Sequence, residues 1–194
     1  FVSCCLIAAS SDSDQPPFRV NAKTFLWTKT RRFNLPALLV QKSSIPSSGL
    51  GVFANCFIKR NQYITIYGGK YMDAKQAQAL SCKSHLRTIE SRHTAVDAAT
   101  SENNNTFTHK DLADKHMVGG IVNGVGTNKQ YKRNAEYTSI TTEYPFPRVD
   151  TNSTINSTTH LMIRAGKEDI KKGEEILVNY GTHYNGVFLN PALE

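Results

Sequence analysis

The apolar residues of this chain come in short runs. Between Leu35 and Gly181, stretches such as "LPALLV", "GVFA", "YITIY" and "HLMI" are each stopped by glycine, proline or a polar cluster. Runs of that length, rich in β-branched and aromatic residues, are strands rather than helices. The clearest helix candidate is "MDAKQAQALSCK", with Asp73 near its start and good helix formers behind it. "KDLADKHMVGGIVNGVG" allows one or two helical turns before its glycines break them. The expectation is a mainly β fold with short helices and non-local strand pairing.

At 194 residues the chain is long enough for one domain with a sizeable core. Residues 1–34 read as an N-terminal extension, partly flexible, because "SSDSDQPP" is a polar linker and "NAKTFLWTKTRRF" follows it. The opening "FVSCCLIAAS" is too short to span a bilayer, although it is compatible with the remnant of a targeting segment. Cys4, Cys5, Cys56 and Cys82 have no zinc-holding spacing, so no metal is expected. Such sparse cysteine use suits a reducing compartment, nuclear or cytoplasmic. The sequons at Asn104, Asn152 and Asn156 carry weight only in a secreted chain. A net charge of +7 fits an acidic partner or plain solubility. The basic stretches "TKTRRF", "FIKRN" and "NKQYKRN" allow nucleic-acid contact, but a solvated face is the preferred reading.

Five segments, in order, resemble the SET-domain protein lysine methyltransferases. They are "SSGLGVFA" (47–54), "YGG" (67–69), "HTAVDA" (93–98), "GGIVNGVGTNKQYKRNAEY" (119–137) and "IRAGKEDIKKGEEILVNYG" (163–181). The last is the most specific. The resemblance implies a β-clip-like, pseudo-knotted SET domain over residues 35–184; the C-terminal tail 185–194 is compatible either with closing the substrate channel by aromatic packing or with sealing its own core. It implies transfer of a methyl group from S-adenosyl-L-methionine to a lysine side chain of a protein, a histone tail by default. Neither metal nor membrane enters that picture.

The same resemblance assigns roles residue by residue. Tyr180 is the catalytic tyrosine. Its phenol, with an ordinary pKa near 10, suits alignment of the acceptor amine better than general-base work. Gly49, Leu50, Gly51, Asn123, Gly124 and Asn134 form the cofactor-binding set, with Ala135 supporting that wall. Tyr67, Val178, Tyr184, Phe188 and His85 are the channel candidates, and Arg87 stands beside them. Considered singly, the glycines are ordinary turn residues and Tyr180 is an ordinary core aromatic.

Departures from the pattern define the alternatives. Gly124 stands where the family usually has histidine, and the cysteine-rich zinc cap after the domain is missing. A catalytically inactive SET-like binding module is therefore the first rival, and a basic nucleic-acid-binding domain the second. Val178, smaller than the usual aromatic, leaves room for more than one methyl. A basic enzyme acting on basic tails needs acid near its groove, for which Glu136, Glu143, Asp150, Glu174 and Glu175 are candidates.

Overall fold

A computed structural model describes residues 16–80, 85–89, 94–98, 108–126, 130–144 and 159–180. Two strands, β4 (Leu38–Lys42) and β5 (Leu50–Ala54), pair antiparallel around a tight turn. In that turn Ser47 and Gly49 both take positive φ, 64° and 66°. A glycine meets that demand without steric cost. β5 is buried along its whole length, so it is covered on both faces.

The other edge of β4 is taken by β1 (Phe18–Val20). Next comes a hairpin of β2 (Lys23–Leu26) and β3 (Arg32–Leu35). Phe33 and Leu35 point into the main core, and Trp27 donates its indole N–H to the Thr141 carbonyl at 3.0 Å. The segment expected as an extension is thus, from residue 18 onward, part of the folded body. Its alternation, with Phe33 and Leu35 buried between exposed Arg32 and Asn34, is that of a half-buried strand.

β6 (Tyr63–Ile66) lies on one edge of a three-stranded sheet whose centre is β12 (Thr159–Ala165) and whose other edge is β11 (Ala135–Thr141). A second three-stranded sheet orders β7 (Lys70–Asp73), β9 (Thr94–Asp97) and β8 (Leu86–Ile89). Between β7 and β8 runs helix α1 (Ala74–Gln78), shorter than its sequence suggested. Asp73 caps it reciprocally with Gln76, a capping box. Helix α2 (His109–Asp114) is capped in the same way by Thr108 and Asp111. A 3-10 turn, Gly119–Ile121, follows it. Among the described residues no helix is long and apolar enough to cross a membrane.

The end of the described chain closes the fold. β13 (Leu177–Val178) pairs in parallel with β10 (Asn123–Gly124). Just before it, the same segment bonds to β5: Gly173 N–H to the Ala54 carbonyl, Ala54 N–H to Glu174, and Ile176 N–H to Val52, all at 2.8–2.9 Å. The 173–178 segment is therefore inserted between β5 and β10. Only two of its residues form a strand with β10, fewer than the apolar run "EEILV" suggested.

Candidate active site

The insertion of 173–178 is fixed by three polar side chains. Asn134 uses its whole amide on it: Nδ2 donates to the Glu175 carbonyl at 2.8 Å, and Oδ1 accepts from Leu177 N–H at 2.9 Å. Asn123 donates through Nδ2 to the Leu50 carbonyl at 2.9 Å and to Glu175 Oε1 at 3.2 Å. The Glu175 carboxylate, almost fully buried, also accepts from Ser43 Oγ at 2.7 Å, from Ser44 N–H at 2.8 Å and from the Ser44 hydroxyl. Gly51 is a glycine for this reason: a β-carbon there would fall 2.2 Å from Glu175 Oε1. The segments expected to bind cofactor, 49–51 and 123–124, thus meet across one buried carboxylate.

Beyond β13 the chain delivers Tyr180. Its hydroxyl donates to the Val122 carbonyl at 2.9 Å. Its ring lies against Gly124, where a β-carbon would come within 2.5 Å of Cδ2 and 2.8 Å of Cγ. The glycine in place of the family's histidine is what lets the ring seat there.

Around Tyr180 stand three further side chains. Tyr67, at the end of β6, is buried and donates its hydroxyl to the His85 carbonyl at 2.7 Å. Tyr137, on β11, meets the Tyr67 ring edge-on at 5.9 Å. The Arg87 guanidinium, from β8, lies over the Tyr180 ring at 4.8 Å and over Tyr137 at 5.3 Å. Burial, with the neighbouring Tyr137, pushes the Tyr67 phenol well above its usual range, so it is a neutral hydrogen-bond donor. Burial disfavours the Arg87 charge, but the surrounding tyrosines, Tyr137 first, outweigh it and hold the guanidinium above its ordinary value.

The candidates from the sequence divide accordingly. Tyr180, Tyr67, Asn123, Gly124 and the Gly49–Gly51 turn come together. A β-carbon on Gly49 would meet nothing within 4 Å, so that turn has an open face. Leu50 is buried as a side chain and offers only its main chain, whose carbonyl already takes the Asn123 bond. Asn134 is a clamp on the strand rather than a cofactor contact, because both ends of its amide are spent on backbone. Ala135 is buried in the main core. Val178 is fully buried in the same core, so it does not set the room in a channel. The His85 side chain is exposed, and this residue contributes through its carbonyl. Tyr184 and Phe188 lie outside the described residues.

Of the acids considered for the groove, Glu175 is locked in its serine cradle and Glu136 pairs with Arg164. Glu174 closes its own turn onto Lys171 N–H, Glu143 accepts from Lys29 N–H, and Asp150 lies outside the described residues. Sequence reasoning missed Tyr137, although it is the last residue of the "NAEY" step, on β11 three residues after the Asn134 clamp.

Comparison with known proteins agrees with this architecture. The SET domain family model matches residues 49–181, well over half the chain. The chain belongs to the SET domain family. Among solved structures, it is similar to a candidate histone methyltransferase of Plasmodium falciparum, at 19% identity over 75% of this chain and 93% of the other, with a TM-score of 0.44. It is also similar to Polycomb Repressive Complex 2 from Chaetomium thermophilum bound to the inhibitor GSK126, at 18% identity, 81% and 18% coverage and a TM-score of 0.50. A further similar structure is that complex in an autoinhibited conformation bound to S-adenosylmethionine, at 17% identity, 81% and 17% coverage and a TM-score of 0.50. The chain spans under a fifth of the length of those Polycomb chains. None of the curated proteins compared with the chain matches it in sequence.

Proposed function

We propose that the chain is an S-adenosylmethionine-dependent methyltransferase that modifies a lysine side chain of a protein, with a histone tail as the first substrate to test. The observation that carries this reading is the seating of Tyr180. A rigid strand pair, the Gly124 backbone and the Val122 carbonyl together hold one phenol beside the Asn123–Gly124 motif.

The residues present fit the cofactor. The open face at Gly49 and the main chain of Leu50, Gly51, Asn123 and Gly124 would hold it, and Gly51 and Asn123 both lie against Glu175. When bound, the cofactor supplies an electrophilic methyl group. Tyr180 aligns the acceptor nitrogen, and its hydroxyl oxygen is available for weak C–H···O contact. Tyr67 and Tyr137 wall the same space with aromatic rings. Methyl transfer is mostly a matter of positioning, which suits a site made of rigid backbone and buried rings. Proton loss from the amine is left to water before closure.

One observation favours a second reading, a binding module without catalysis. Gly124 removes the side chain that relatives place there, and Asn134 spends its amide within the fold. Calorimetric titration with S-adenosylmethionine, followed by methyl transfer to histones, separates the two. Cofactor binding, with turnover that Tyr180→Phe abolishes while that binding is kept, would support the enzyme. A folded chain without cofactor affinity would establish the module.

A further inference from the structure

Among the described residues, Arg87 is the cation stacked on the aromatic group around Tyr180, and no family motif quoted above contains it. Three sheets meet at this side chain. It is carried by β8, reaches over Tyr137 on β11, and lies over Tyr180 beyond β13. The strand that bears it is anchored next door, where the His85 carbonyl takes the Tyr67 hydroxyl at 2.7 Å and the Ala98 N–H at 3.2 Å. A planar guanidinium stacks on ring faces in a way that an ammonium does not. Tyr180 also packs against the main core and the Gly124 backbone and donates its hydroxyl to the Val122 carbonyl.

We propose that Arg87 is a positioning residue that fixes the Tyr180 ring. Its charge has a second effect, which rests on the proposed methyltransferase reading. A fixed guanidinium on the rings disfavours a second cation beside it, so the acceptor nitrogen is held toward its neutral, nucleophilic form. The site thereby selects an uncharged amine rather than binding an ammonium in an aromatic cage.

The test compares wild type with Arg87→Gln and Arg87→Lys. Fluorine NMR of the full chain carrying 3-fluorotyrosine at position 180 reads the ring directly. Wild type is expected to show restricted ring exchange, and Arg87→Gln a single averaged line. Identical spectra would overturn the assignment whether or not the chain has activity. Circular dichroism establishes that both variants are folded. With turnover in hand, Arg87→Gln is expected to lower kcat by up to about 100-fold with cofactor affinity kept. It is also expected to move the acid limb of the kcat profile, which reports the bound amine, to higher pH. Arg87→Lys should restore the acid limb but not the full kcat. An unshifted acid limb would overturn the electrostatic part. Absence of cofactor binding and turnover in wild type would instead overturn the methyltransferase reading, while the ring measurement still decides the positioning role.

Discussion

The ring of Tyr180 rests on the backbone of Gly124 with no room for a side chain between them. A β-carbon at 124 would sit 2.5 Å from Cδ2 of a ring that is itself packed against the core. Gly124→Ala is therefore expected to destabilise the fold by about 1–3 kcal/mol through overpacking and to displace Tyr180. Restoring the family's histidine should do no better. Thermal unfolding together with methyl transfer checks both points.

Tyr180→Phe removes the bond to the Val122 carbonyl and leaves the ring in place. The stability cost should be only about 0.5–1.5 kcal/mol. Turnover is expected to fall by about 100-fold or more, the scale of a lost polar group in a preorganised site. Retained affinity for S-adenosylmethionine in the same variant would show that the loss lies in chemistry and not in folding.

Asn134 and Glu175 hold the inserted segment from two sides. Asn134→Ala removes both amide bonds to 175–177 and should cost about 1–3 kcal/mol, the scale for leaving a buried polar group unpaired. Glu175→Ala orphans Ser43 Oγ, Ser44 N–H and part of Asn123, and should cost at least as much. Glu175→Gln keeps the shape and one acceptor and should fall between. Denaturant unfolding ranks the three, and an unaffected midpoint in Glu175→Ala would refute the cradle's structural weight.

His116 supplies a pH dependence. It is buried, with Nε2 2.7 Å from the Pro36 carbonyl and Nδ1 3.3 Å from Thr65 Oγ1. Burial lowers its pKa below the ordinary 6.5, against the pull of the Pro36 carbonyl. The unfolded chain thus binds this proton at higher pH than the folded one, so the stability it supports is present above pH 6.5 and drains away as pH falls below it. His116→Asn is the suitable control because position 116 has a positive φ of 57°, which asparagine tolerates. Its unfolding midpoint should be lower than that of wild type at pH 8, with a weaker fall between pH 7 and 5.

Much of the fold was legible from short apolar runs and their punctuation. β4, β5, β6 and β12 fall where such runs predict strands, and Asp73 caps the helix it precedes. The hairpin at 23–35 was not legible as core, because what buries Phe33 is a tilted ring contact with Tyr63 at 4.6 Å, a partner far along the chain. The site divided in the same way. Tyr180 and Gly124 stand in motifs and were named. That Asn134 clamps a strand, that Val178 faces the core and that Glu175 sits in a cradle all depend on pairings across many residues. A motif gives position along the chain, and it does not say which way an amide or a carboxylate points.

The insertion of 173–178 carries a consequence for how the molecule comes into being. Ser43 and Glu175 are 132 residues apart, and Tyr180 reaches Val122 across 58. Contacts so remote in the chain are slow to close, and their last participant leaves the ribosome after every other described element. A nascent or partly folded copy therefore lacks both the Glu175 cradle and the seat of Tyr180 until 173–180 is in place. On the proposed methyltransferase reading, the appearance of activity would time that final step of folding.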